Sequence, residues 1–115
     1  MNAAMDKRRN NILARLRRLC LKMEGVSAAA SFGNPAFRAG KKQRPFVVLD
    51  HYKGADCLWL KVDPFRRDEL LADPRFFASP YDPRAEALCR TLSRLNWRQL
   101  ESLVRDSYRI IINKK

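Results

Sequence analysis

Residues Ser31 to Lys42, SFGNPAFRAGKK, place two glycines, a proline, two phenylalanines and three basic residues within twelve positions. A phosphate-cradling loop would draw on such residues. It needs two glycines separated by four residues, then Lys and a hydroxyl residue, so that backbone amides wrap the phosphate and the hydroxyl holds magnesium. Here six residues separate Gly33 from Gly40, and Lys42 stands where the hydroxyl is required. Spacing and hydroxyl both exclude that chemistry. Nucleophilic catalysis needs a base beside the nucleophile. His51 is the only histidine, and no spacing ties it to Ser31, Cys57 or Ser107. Cys20, Cys57 and Cys89 are odd in number, lie far apart and form no CxxC pair. They read as free, packed thiols in a reducing compartment, not as metal ligands. Asp63, Asp68, Glu69 and Asp73 are near neighbours, but Arg66 and Arg67 sit among them, which favours a capped, solvated helix over a cation site. No catalytic residue, metal site or cofactor is expected, and the chain reads as non-enzymatic.

The chemistry that the composition supports is electrostatic. There are 24 Lys and Arg against 12 Asp and Glu, a formal charge of +12 and a pI of about 10.4. Residues 1–54 hold twelve basic and three acidic residues, a net of +9; residues 55–115 hold twelve basic and nine acidic, a net of +3. Such a domain suits a polyanion. Arg38, Lys41, Lys42 and Arg44 crowd one predicted hairpin tip, and Lys53 marks a second. Arg15, Arg18 and Lys22 extend the basic surface from a predicted first helix. Lys and Arg gain affinity by releasing counterions from the phosphate backbone. These eight residues are the candidate nucleic-acid contacts, with DNA expected ahead of RNA. No apolar run approaches the ~20 residues that span a bilayer. The basic N-terminus is followed by no unbroken apolar segment or small-residue cleavage site, so the chain reads as cytoplasmic, unprocessed and without a membrane partner. The second reading is a protein-interaction or small-ligand module, with Trp59, Phe76, Phe77 and Tyr81 lining an apolar groove; the plainer reading of those aromatics is core.

A chain of 115 residues fits one domain with its own core. Ile12, Leu13, Leu16, Leu19, Cys20 and Met23 recur at helical spacing and predict a helix over Asp6 to Met23, with Asp6 as N-cap and Gly25 as its stop. Ser27 to Phe32 reads as irregular, and Asn34-Pro35 as a turn. Short strands are predicted at Ala36–Ala39, Phe46–Leu49 and Cys57–Val62, with Lys53 to Asp56 as a loop. In the last strand Leu58, Leu60 and Val62 share one face. Asp63-Pro64 opens a second helix over Phe65 to Ala72. Phe76, Phe77 and Tyr81 fall in a Pro-rich connection. Glu86 to Leu92 is ambiguous between strand and helix. Asn96, with Gln99 three residues on, starts the last helix, which is expected to fray at Ile110-Ile111-Ile112. Locally paired strands with helices at both ends predict an α+β sandwich: an antiparallel sheet with helices on one face.

Several short pieces recur together: MEGV at the end of the first helix, SFGNPAF, the lysine after Gly40, LWLKV, DPRFF, Pro80-Tyr81, Asn96-Trp97 and DSYR. In this order and spacing they resemble the MmcQ/YjbR family from about Met23 to the C-terminus. The resemblance implies a fold similar to the bacterial frataxin homologue, a double-wing arrangement and a DNA-binding role. The chain departs from the family pattern after Pro80-Tyr81, where Ala85-Glu86-Ala87-Leu88 replaces a Gly-Trp-Val strand. It also departs in its high basic charge. Iron binding, the frataxin-like alternative, needs an acidic ridge on the first helix; here Asp6 and Glu24 face seven basic residues.

Overall fold

The computed structural model describes the backbone of residues 3–80 and 82–113, and the side chains of residues 7–80 and 82–113. The elements are α1 (Ala3–Cys20), β1 (Ser27–Ala28), β2 (Ala36–Ala39), β3 (Arg44–Tyr52), β4 (Ala55–Lys61), α2 (Pro64–Leu71), β5 (Phe76–Ala78), β6 (Ala87–Thr91) and α3 (Trp97–Ile112). The strands form one sheet in the order β1-β2-β3-β4-β6-β5, and every neighbouring pair is antiparallel. This is the α+β architecture expected from the sequence. No helix of the described residues is long and apolar enough to cross a membrane.

Strand alternation builds the core. Leu58 and Leu60 of β4 lie opposite Leu49 and Val47 of β3, and Leu60 lies opposite Leu88 of β6. These side chains are fully or nearly fully buried under Leu16 and Cys20 of α1, Leu70 of α2 and Leu100, Leu103, Val104 and Ile111 of α3. The other face of the sheet carries no helix. β6 is buried along Ala87 to Arg90 because it runs between β4 and β5. A central strand reads as a continuous buried run, which is why its sequence lacks a clear period. Arg90 is the polar exception. Its guanidinium donates to the carbonyls of Thr91, Ser93 and Arg94, and burial pushes its pKa down.

One irregularity ties the layers together. Phe37 pairs with Val47 but Arg38 pairs with Pro45, leaving Phe46 as the extra residue of a β-bulge. Phe46 therefore joins Val47 in the core, edge-on to Tyr108 at 5.5 Å. The Ser107 hydroxyl on α3 donates to the Phe46 carbonyl and accepts from the Lys61 amide at 3.0 Å. It bridges two strands at the bulge and is itself completely buried. Tyr108 donates its hydroxyl to the Glu24 carbonyl at 2.6 Å, fastening the segment after α1 to α3.

Several boundaries differ from expectation. α1 starts at Ala3, so Asp6 lies one turn inside the helix and cannot cap it. It stops at Cys20, because Met23 N turns back to Cys20 O at 3.0 Å; Gly25, at φ +73°, sits in the turn that follows. Ser27–Ala28 and Phe76–Ala78 are short edge strands where irregular chain was expected. The Lys53 to Asp56 loop contracts to a two-residue turn, with Lys53 and Gly54 at φ +53° and +79°, the type I′ geometry that matches strand twist. α2 begins at Pro64, capped by Asp63 accepting from Phe65 N at 2.8 Å. The Asn96 side chain caps α3 by accepting from Arg98 N and Gln99 N. The three consecutive isoleucines stay helical, with Ile111 held in the core. Replacing Ser107 by Ala strands two buried backbone groups, and should lower unfolding free energy by about 2–4 kcal/mol in urea titration.

Candidate nucleic-acid interface

The turn Gly40–Gln43 joins β2 to β3 and carries the densest basic cluster. Gly40 takes φ +78° and Gln43 φ +48°. Gln43 is the clip that shapes it. Its Nε2 donates to the carbonyls of Gly40 at 3.0 Å and Gly25 at 3.3 Å, and Ser27 Oγ donates to its Oε1. Arg38 adds a brace, donating to Gln43 O at 3.1 Å and Ala30 O at 3.0 Å. Lys41, Lys42 and Arg44 project from this braced turn. All three are exposed, and among the described residues none has an ion-pair partner. The contact to Gly25 brings the end of α1 close, with Lys22 three residues away and Arg18 one helical turn earlier.

The eight candidate residues do not form one patch. Lys53 sits at the far end of β3 from Lys41, and nine strand residues separate the two turns by roughly 30 Å. Its ammonium lies 5.4 Å from the Tyr52 ring centroid. Arg15 covers the Trp97 ring at 4.3 Å, so it is partly committed to packing. Arg38 is a brace first and a surface charge second. Among the described residues Lys41, Lys42, Arg44, Arg18 and Lys22 are exposed and have no ion-pair partner, and they remain as the basic cluster at this end of the sheet.

Charge pairing follows the division seen in the sequence. The cations of Lys61, Arg66, Arg67, Arg75, Arg105 and Arg109 each have a carboxylate within 4.0 Å. In the first half Arg9 pairs with Asp56 at 3.5 Å. The second half thus neutralises much of its own basic charge, and the first half presents it. Asp73 shows the pairing most strongly: hydrogen bonds from the Arg75 side chain and amide hold its carboxyl down at about 2.

The aromatic groove expected as the second reading is split by the sheet. Phe76 faces the core and is buried. Trp59 and Phe77 lie on the helix-free face, where Phe77 stacks on Tyr52 at 6.0 Å, and Tyr81 lies outside the described residues. A groove of about 610 Å³ does open on that face, over Trp59, Val48 and Pro45, with Asp50 and Ser79 at its sides. Sequence reasoning missed its rim. Ser31 and Asn34 pair across a two-residue turn, Phe32-Gly33, with φ +51° and +82°. Phe32 is completely exposed at 103%. Asn34 Nδ2 donates to Asp50 Oδ1 at 3.0 Å and fixes this turn against the groove. The signal was present in Ser31 to Asn34: two residues between pairing positions, ending in glycine.

Among the described residues no group of three His, Cys, Asp or Glu side chains is placed to hold a metal ion. His51 bonds to Asp56 at 2.9 Å, and the Ser107 hydroxyl is committed to backbone, so neither forms a catalytic pair with the other. Cys20, Cys57 and Cys89 are unbridged and buried. Burial pushes the Cys20 thiol up to about 12. The hydrogen bond with Cys89, and then burial, push Cys57 up.

The sequence pattern of the YjbR family matches residues 21–110, which spans the turn, the groove and all six strands. The chain belongs to the YjbR family. Among solved structures, a Deinococcus radiodurans protein described as a DUF419 domain is similar at 26% identity and a TM-score of 0.75, over 86% of this chain and 77% of that one. A Pseudomonas syringae protein at 16% identity shares the fold, with a TM-score of 0.70 over 96% of this chain and 99% of its own. No curated protein matches. Within the matched residues, the DSYR piece supplies Ser107 and Tyr108, which join the layers, and the SFGNPAF piece supplies the Phe32 turn.

Two outcomes are expected. Phe32→Asn should raise unfolding free energy by about 1 kcal/mol in a denaturant titration, because Asn-Gly suits this turn and a bulky residue at positive φ is strained. A thiol reagent at neutral pH should leave Cys20, Cys57 and Cys89 unmodified in the native protein and modify all three after denaturation.

Proposed function

We propose that this YjbR-family protein is a cytoplasmic, non-enzymatic nucleic-acid-binding protein, with DNA ahead of RNA as its partner. The observation that carries this reading is the free basic cluster at one end of the sheet. Lys41, Lys42 and Arg44 stand without an ion-pair partner among the described residues, on a turn braced by Gln43 and Arg38 and near Lys22 and Arg18. A braced turn costs less ordering entropy on binding than a floppy one. Lys41, Lys42 and Arg44 contact phosphates; Arg18 and Lys22 extend the contact along α1. Arg38 holds the turn, and Arg15 and Lys53 contribute at longer range.

Fluorescence anisotropy of labelled DNA across a salt series tests this. Micromolar or tighter affinity at low salt is expected, falling linearly in log–log form. Changing Lys41, Lys42 and Arg44 together to Glu should weaken binding and flatten the salt slope by roughly 2–3. A folded wild-type protein that binds no DNA at low salt would remove the reading. A second reading as a small-ligand or protein-interaction module has the Trp59 groove in its favour.

A further inference from the structure

The helix-free face of the sheet carries features that phosphate contact alone does not use. Phe32 is fully exposed yet held at positive φ. A bulky side chain in that region is strained, and such strain clusters at binding sites. Nothing in the core gains from Phe32, because it packs against none of it. The turn that strains it is fastened by Asn34 to Asp50, so the ring is presented in a defined place.

Beside that ring lies the groove floored by Trp59, Val48 and Pro45, about 610 Å³ in volume, within the range of sites that enclose small planar ligands. Asp50 stands at its side as an acceptor. Its Oδ1 takes hydrogen bonds from Asn34 Nδ2 at 3.0 Å and His51 N at 2.8 Å, while among the described residues no donor bonds its Oδ2. A carboxylate repels phosphate but accepts from ring and exocyclic N–H groups on a base edge. Cations stand at both ends of β3: Lys41, Lys42 and Arg44 at the turn before it, Lys53 at the turn after it.

We propose that this face takes an unstacked base of a single-stranded nucleic acid, with the base set between Phe32 at the rim and Trp59 on the floor. Asp50 accepts from its edge. The strand follows β3, with its phosphates near the basic turns roughly 30 Å apart. The proposal rests on the nucleic-acid reading above and adds the strandedness of the partner. A duplex offers its grooves and phosphates but keeps its base faces stacked, whereas a single strand offers both phosphates and base faces. It also gives Lys53, the one candidate residue at the far turn, a phosphate to meet. An anionic membrane is less suited to the site, because a carboxylate lines the groove beside the exposed Phe32 ring.

The test compares three labelled ligands of about 12 nucleotides by anisotropy at fixed low salt. They are a mixed-sequence single strand, an abasic strand with the same phosphates, and a duplex. The single strand should bind about 10-fold or more tightly than the abasic strand. Phe32→Ala, an exposed change that leaves the core untouched, should weaken single-strand binding roughly 5- to 150-fold and leave abasic binding unchanged. Equal affinity for the base-bearing and abasic strands, with Phe32→Ala neutral on both, overturns the base slot and leaves the electrostatic reading standing. Absence of binding to all three by the folded protein overturns both. The same protein is titrated with phosphatidylserine vesicles. If Phe32→Ala weakens vesicle binding but not oligonucleotide binding, the ring is a membrane anchor and the proposal fails.

Discussion

The fold depends on a hydroxyl where two strands and a helix meet. The bulge at Phe46 interrupts the ladder between β2 and β3; on the other side of β3 the ladder to β4 stops at Val47–Leu60, and Ser107 from α3 bridges the next two backbone groups, Phe46 O and Lys61 N. Serine suits the position because one small group both donates and accepts. The bulge also decides which way the basic turn faces. A shift of one residue reverses every side chain beyond it. Because Phe46 is turned inward beside Val47, Pro45 comes to the helix-free face, where it floors the groove opposite Arg38, the brace of the turn. The core contact and the surface are therefore set by the same extra residue.

Where local chemistry decided the outcome, the sequence was legible. The alternation in Cys57–Val62, the proline after Asp63 and the cap at Asn96 each specify backbone geometry within a few residues, and each matches the structure. What was illegible depends on distant partners. β5 is a strand only because β6 passes beside it, and a three-residue strand has no period to read. The end of α1 is set by the turn back from Met23 to Cys20 and by Tyr108 reaching Glu24, a partner 84 residues away. The bulge itself left no mark in the hydrophobic pattern.

The candidate site was legible as composition more than as geometry. Charge density along the first 54 residues pointed to Lys41, Lys42 and Arg44, and they are the free ones. It did not distinguish them from Arg38 and Arg15, whose charge is partly engaged with backbone carbonyls and an indole. Nor did it separate Lys53, which a nine-residue strand carries to the opposite end. Phe32 escaped notice because exposure of an aromatic is invisible without the turn that displays it.

An open sheet always has two borders, and here they are the two-residue β1 and the three-residue β5. Their shortness has a consequence for the protein's behaviour at high concentration. An unpaired strand invites another chain to add to it, and long flat borders seed fibrils. Two or three residues give an incoming strand too few backbone groups to hold it in register. With its net positive charge repelling like copies at a distance and its borders too brief to template growth, this chain is protected against stacking into cross-β assemblies even though its central strands, β3 and β4, are rich in residues that favour them.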